Sequence, residues 1–267
     1  AYTVRSQTAA HPAAHADRMS VARRVALVTG GAQGIGRASA ARLIAQGFDV
    51  ALADIQAERV AATANELGKD GARVAGFTAD VGDAAAIEQL RAAVEGDFGR
   101  IDALVHVAGG AGPRSVQQID EIEPDLWDHV IALNLRSAYL MARAVVPGMR
   151  TRRHGRIVLM SSTITRGRTG PVGTAGARLP YAAAKAGLLG FAAQLAKDVG
   201  GFGITVNALM PWLTLSEQGS RIRQRWEGLT PELRERIVAA APMGRPAEAD
   251  EVAAVVAFLC SDAASYV

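Results

Sequence analysis

From Arg24 onward the chain repeats one unit, a short β-branched or apolar run followed by a longer amphipathic one. The runs VALVT (25–29), DVALAD (49–54), RVAGFTAD (73–80), IDALVHVAG (101–109), RIVLMSS (156–162) and ITVNALM (204–210) read as strands. Between them GIGRASAARLIAQG, QAERVAATANELGKDG, AAAIEQLRAAVEGDFG, DLWDHVIALNLRSAYLMARAVVPGMR and PYAAAKAGLLGFAAQLAKDVG read as helices. Strands this apolar are buried on both faces, and a helix after each strand returns the next one parallel to it. The pattern therefore predicts an α/β fold, a doubly wound parallel sheet flanked by helices. In such sheets ligands gather at the carboxyl ends of the strands, where successive crossovers diverge, so chemistry is sought in the residues that follow each strand.

No Pro/Ser-rich linker or charge block divides the 267 residues, so a single domain over 21–267 is expected, preceded by a leader at 1–20. At 49% hydrophobic and 21% charged the composition is that of a soluble globular protein. The net charge of +3 is scattered, with no basic cluster interleaved with aromatics, which argues against a nucleic-acid partner. No apolar run approaches the roughly 18 residues of a membrane span. The leader AYTVRSQTAAHPAAHADR lacks the apolar centre of a secretory signal and reads as upstream sequence, with a natural start at Met19. His11 and His15 are spaced for one helix face, but Pro12 lies between them and no third ligand is evident, so no metal is expected. The single cysteine, Cys260, excludes an internal disulfide, reads as a core thiol and fits a cytoplasmic setting.

The first strand runs directly into Thr29-Gly30-Gly31-Ala32-Gln33-Gly34-Ile35-Gly36. Absent side chains let such a turn tighten, let backbone approach a pyrophosphate, and start the helix with its free N–H groups facing negative charge. A nucleotide site is expected here. The spacing is Gly-x-x-x-Gly-x-Gly, which differs from the common Gly-x-Gly-x-x-Gly fingerprint. About twenty residues on, Asp54 ends the second strand, where a carboxylate accepts hydrogen bonds from ribose hydroxyls and repels a 2′-phosphate. No arginine stands in the turn itself, and Arg37 lies just inside the helix, so NAD is favoured over NADP. Asp80-Val81 after the third strand is placed to flank the adenine, although an aspartate there equally caps a helix.

Tyr181 and Lys185, four apart, share one helix face. An ammonium beside a phenol favours the phenolate and is expected to lower a pKa that is ordinarily about 10. Ser161 and Ser162 end the fifth strand, where a hydroxyl either holds a substrate oxygen or merely caps a turn. Asn134 is a poor helix former in the middle of VIALNLRSAY. It is either an exposed polar residue or a polar group facing the site.

TGGAQGIG, Asp54, ADV, HVAG, Asn134, SS and YAAAK, in this order, resemble the classical short-chain dehydrogenase/reductase family over about Val21 to Val267. The resemblance implies a single Rossmann-like domain that binds NAD(P) and moves hydride between the nicotinamide and a carbonyl or secondary alcohol. It makes Tyr181 the general acid/base, Ser162 the orienter of the substrate oxygen, and Lys185 the ribose anchor and tuner of the phenol. Asn134 receives a place in a water-linked proton path behind the lysine. Ala108, Gly109, Pro211, Trp212 and Thr214 are set along the cofactor.

The sequence departs from the family in four places. His106-Val107 stands where two asparagines are usual, which puts side-chain bracing at this turn in question. The connection from Ser162 to Tyr181 is several residues longer than usual. Pro211-Trp212 replaces Pro-Gly, bringing an indole toward the nicotinamide or the substrate pocket. The family continues past SDAASYV through a glycine-rich turn into a last strand, so the expected fold lacks that strand.

Residues from about 212 to 240 fall where the family carries a mobile helical lid. The lid holds Trp226, Arg221, Arg223 and Arg225, and the long connection adds Arg166, Arg168 and Arg178. These arginines either meet an anionic substrate or form a solvated surface. The preferred function is oxidation of a secondary alcohol; the alternatives are a 3-oxoacyl-thioester reductase and, from another class, a nucleotide sensor without turnover. A small-molecule substrate is expected. The helices at 125–150 and 180–200 carry broad apolar surface and resemble those of the family's four-helix subunit interface, which implies a homotetramer, with a dimer second.

Overall fold

The first two strands, β1 (Val25–Thr29) and β2 (Asp49–Asp54), begin and end where the sequence places them. In the computed structural model, residues 23–68, 72–113, 116, 118–167 and 178–267 are described. The leader with His11, His15 and Met19 lies outside the described residues, as does Arg168. The remaining strands are β3 (Val74–Thr78), β4 (Ala103–His106), β5 (Gly155–Met160) and β6 (Ile204–Leu209). They form one six-stranded sheet in the order β3-β2-β1-β4-β5-β6, every pair parallel. The order reverses between β1 and β4, where Thr29 lies in register with His106.

Alternate residues of the strands feed two cores. Leu27, Leu104, Ile157 and Leu159 face α3 (Ala84–Phe98), α5 (Ser137–Arg152) and α6 (Arg178–Val199), represented by Val94, Met141 and Leu188. Val28, Val50, Leu52, Val105 and Val158 face α1 (Gly34–Ala45), α2 (Ala57–Leu67) and α9 (Ala249–Cys260), represented by Leu43, Val60 and Val256. This is the two-sided burial that the apolar strands call for. The edge strands β3 and β6 are the exceptions and are only partly covered. Cys260 is fully buried in the second core, and burial pushes its thiol up to about 12, so it is the inert core thiol expected.

The stretch read as one helix over 125–150 is α4 (Pro124–Ile131), a π turn (Ala132–Arg136) and α5 in continuous succession. The π turn is closed by the Ser137 N–H on Ala132 O, one residue wider than an α-helical bond. After β6 the chain forms β7 (Thr214–Leu215), α7 (Arg221–Glu227), α8 (Pro231–Val238) and β8 (Ala247–Glu248). β7 and β8 pair in parallel and close this excursion at its base. Val267 O accepts a 2.9 Å hydrogen bond from Asn207 of β6, an edge strand of the sheet.

Candidate active site

The glycine turn after β1 is built by close packing. A side chain on Gly36 would start 2.1 Å from Gly30 O, so only glycine lets α1 begin against the turn. Gln33 is the N-cap of α1 but its side chain caps nothing, and no acidic residue stands in the first turn. The helix therefore opens with donors and a positive dipole end that its own first turn leaves unneutralised. Ile35 packs against the second core. Asp54, buried at the end of β2, accepts from Ala32 N at 3.2 Å and from Gln56 N at 3.1 Å, tying the turn to the neighbouring strand. Each oxygen retains acceptor capacity beyond these bonds. A cradle in which Cβ atoms do not fit, opening on helix N–H groups beside a strand-end carboxylate, suits a dinucleotide.

Two residues that sequence reasoning missed also meet this turn. Glu217, just past β7, accepts from Gly34 N at 2.8 Å through one oxygen and pairs with Arg59 of α2 at 3.0 Å through the other. Buried Ser216 stands beside Gly34, its Oγ 2.8 Å from where a side chain there would start. Chain separations of 183 and 158 residues put the Glu217 contacts beyond any local signal. Arg37 is paired with Glu66 across α1 and α2, on the surface of the helix pair.

Asp80 is exposed, and its carboxylate accepts from Gly82 N at 2.8 Å. The cap of α3 is Asp83, which accepts from Ala85 N, rather than Asp80. Val81 is buried in the first core. Pro211 O accepts from Thr163 N, and Trp212 is half-buried. Thr214 is buried, and its hydroxyl donates to Trp212 O at 3.1 Å, holding its own turn.

At the other end of the crevice, Lys185 and Asn134 converge on Gly109. A side chain on Gly109 would start 2.5 Å from Asn134 Oδ1 and 3.2 Å from Lys185 Nζ. Asn134 is fully buried in the π turn, so the exposed reading is excluded. Its Nδ2 donates to Gly110 O at 2.7 Å and Val130 O at 2.8 Å, and its Oδ1 accepts from Gly110 N at 3.1 Å. Lys185 Nζ donates to Met160 O at 2.7 Å, and Ser161 Oγ donates to Lys185 O at the same distance, locking α6 to the end of β5. Burial drives the Lys185 ammonium down to about 8.

Tyr181 packs against Leu126 and Val130, and its ring centroid lies 5.5 Å from Lys185 Nζ. The expected lowering of its pKa is not what the free chain shows. Burial raises the phenol above its ordinary value, and a hydrogen bond with Ser162 opposes this. The physical reason is that Lys185 is bonded to Met160 O and is itself desolvated, while the phenol is largely removed from water. The Ser162 hydroxyl also accepts from Ile164 N at 3.3 Å, so it both starts a turn and meets the tyrosine. A cleft of about 340 Å³, lined by Pro113, Asp125, Leu126 and His129, adjoins the Tyr181 side through Leu126.

Arginines of the segment 212–240 bond the chain's own groups. Arg223 bonds Ser216 O and Glu248, and Arg234 bonds Trp226 O and Glu227 O. Among the described residues no group of three or more potential metal ligands occurs. Likewise, none of the described helices is long and apolar enough to cross a membrane.

The family profile described as enoyl-(acyl carrier protein) reductase matches residues 30–267. The chain belongs to the short-chain dehydrogenase/reductase family. It is 36% identical to 3-oxoacyl-acyl-carrier-protein reductase FabG of Escherichia coli (strain K12), over 91% of this chain and 92% of that one. It is also 36% identical to D-threitol dehydrogenase of Mycolicibacterium smegmatis, over 91% of this chain and 88% of the relative. The fold matches a single-substitution variant of actinorhodin polyketide ketoreductase with NADPH at a TM-score of 0.80 and 35% identity, covering 92% of this chain and 93% of that structure. Membership makes this short-chain dehydrogenase/reductase an oxidoreductase and accounts for the glycine turn and the Tyr181–Lys185 spacing together.

Proposed function

We propose that this protein transfers hydride between a nicotinamide dinucleotide and a secondary alcohol or ketone, with Tyr181 as general acid/base. The reading rests on one observation: Asn134 and Lys185 meet at Gly109, and Lys185 Nζ lies 5.5 Å from the centre of the Tyr181 ring. When bound, the dinucleotide supplies or accepts hydride at the carbon that bears the substrate oxygen. The chain itself handles that oxygen and its proton. In reduction, the Tyr181 phenol donates its proton to the oxygen as negative charge develops there, and the Ser162 hydroxyl donates a hydrogen bond to the same atom. In oxidation, the phenolate takes the alcohol proton. Since burial favours the neutral phenol, Tyr181 stands ready as a donor at neutral pH. Lys185 holds the nicotinamide ribose, and Asn134 supports a proton path behind it.

NAD is the proposed cofactor, because Asp54 puts a carboxylate at the end of β2. Gly30, Gln33, Gly34, Ile35 and Gly36 would hold the pyrophosphate. Asp80 and Val81 would flank the adenine, and Ala108, Gly109, Pro211, Trp212 and Thr214 would line the nicotinamide side. The segment 212–240 serves as a substrate lid. A second reading, reduction of a 3-oxoacyl thioester, is supported by the similarity to FabG and to the polyketide ketoreductase. Mixing the protein with NAD or NADP and a panel of polyols, hydroxy acids and 3-oxoacyl thioesters, while following reduced-nicotinamide absorbance, separates the two. Turnover of none of them would contradict both. Asp54→Ala should weaken discrimination against NADP; an unchanged preference contradicts that assignment. A cytoplasmic homotetramer, with a dimer second, completes the reading. Its support is the exposed aromatic surface of Trp127 and Tyr139 on the α4–α5 run.

A further inference from the structure

His106 ends β4 where an asparagine is usual, and the roles assigned above leave it unused. Its imidazole is 2% exposed and lies at the point where the strand order reverses. Nδ1 is 2.8 Å from Thr29 Oγ1, and Nε2 is 3.0 Å from Ser137 Oγ. The bonds of these neighbours decide which nitrogen carries the hydrogen. Ser137 has one hydroxyl hydrogen, which it donates to Leu133 O at 2.7 Å. Ser137 Oγ therefore meets the imidazole as an acceptor, and Nε2 is the N–H. Nδ1 is left as an acceptor for the Thr29 hydroxyl, whose oxygen also accepts from Ala108 N at 3.3 Å.

A directed chain results: Thr29 O–H to His106 Nδ1, Nε2–H to Ser137 Oγ, Ser137 O–H to Leu133 O. It starts at the end of β1 and finishes inside the π turn, on the residue before Asn134. A second cation here is disfavoured, since burial and the nearby Lys185 ammonium push the imidazole down to about 3. The ring thus stays neutral over the pH range in which an ordinary histidine titrates. The π turn departs from the regular α-helical ladder, and here the side chains of Asn134 and Ser137 bond Val130 O and Leu133 O.

We propose that His106 is a positioning residue for the reaction: as a neutral Nε2–H imidazole it couples the end of β1 to the π turn through Ser137, and so fixes Asn134 against Gly109, Gly110 and the Lys185 ammonium. The proposal deepens the reading of Tyr181 and Lys185 as the reacting pair and rests on it. It also explains how this chain braces a turn that lacks the usual asparagines.

The test uses the full chain and whichever substrate the panel identifies. His106→Phe fills the space but removes both bonds, His106→Gln retains a donor toward Ser137, and Ser137→Ala cuts the chain at its next link. His106→Phe should lower kcat by about 10- to 100-fold, the scale on which small misplacements act. It should leave cofactor affinity within about twofold and displace the midpoint of the kcat pH profile. His106→Gln should recover most of the loss, and adding Ser137→Ala to His106→Phe should cost little more. A folded His106→Phe with wild-type kcat and pH midpoint would overturn the proposal, as would a loss that merely tracks thermal stability and adds fully to that of Ser137→Ala. If His106→Phe does not fold, nitrogen-15 spectra of labelled histidine decide. A neutral Nε2–H tautomer between about pH 5 and 8, disturbed by Ser137→Ala, supports the proposal; an Nδ1–H tautomer or a titration in that range refutes it. Tyr181→Phe, run alongside, keeps the two levels apart. If it retains full turnover, the reading of the reacting pair fails; if only the His106 and Ser137 results are negative, this inference alone fails.

Discussion

The two ends of the crevice are finished to different degrees. At the lysine end, Asn134 and Lys185 are buried and bonded to backbone, so the arrangement proposed to react is held by the chain itself. At the glycine turn, the first amide of α1 is occupied by the chain's own carboxylate, Glu217, half-buried and shared with Arg59. A carboxylate at a helix N-terminus takes the place for which a phosphate is suited. Prebuilt geometry governs rate, whereas an occupied anion position governs affinity. The two ends should therefore respond separately to substitution.

Among the substitutions that separate the two ends, the largest effect is expected where two groups share one space. Gly109→Ala drives a methyl into Asn134 Oδ1 and Lys185 Nζ, and kcat should fall by about 100-fold. Steady-state kinetics check this, and near-normal kcat would show that the close approach does not matter.

Lys185 should report its burial through pH. Its folded pKa, about 8, lies below the ordinary value of 10.5, so between these values the unfolded chain binds the extra proton. Stability contributed at this site is therefore lowest below pH 8 and rises as pH increases toward 10.5. The stability of wild type relative to Lys185→Met should increase over that interval by an amount on the order of 3 kcal/mol. Urea melts across the interval measure it, and a difference independent of pH would mean the ammonium is not desolvated.

The smallest effect belongs to the glycine turn. Glu217→Gln weakens the internal anion and should tighten dinucleotide binding by about two- to fivefold with kcat unchanged, the scale of a charge at a helix end. Fluorescence titration tests it. A change in kcat without a change in affinity would collapse the distinction between the two ends.

Much of this architecture was legible in the sequence, and its limits have physical causes. The bounds of β1 and β2 follow from apolar runs closed by Gly30 and Asp54. β4 is shorter than its apolar run, although Asp102 and Val107 on either side of it still bond β1 through their backbone amides. Tyr181 and Lys185 were readable because a helix fixes their spacing. The π turn was not, since one extra residue in a turn leaves no periodic mark, and Asn134 appeared only as an ill-suited helix residue. Ser161 and Ser162 look alike in sequence, yet one anchors α6 and the other meets the tyrosine. Glu217 and Arg59 were invisible because only the folded chain brings them together.

The central claim is that Tyr181 moves the proton at the substrate oxygen. It is tested most directly by single-turnover reaction of wild type and Tyr181→Phe with bound nicotinamide cofactor and the best substrate of the panel. The account predicts that the variant binds cofactor normally while its turnover falls by about 10²- to 10⁴-fold. A variant that binds cofactor and reacts at the wild-type rate would contradict it.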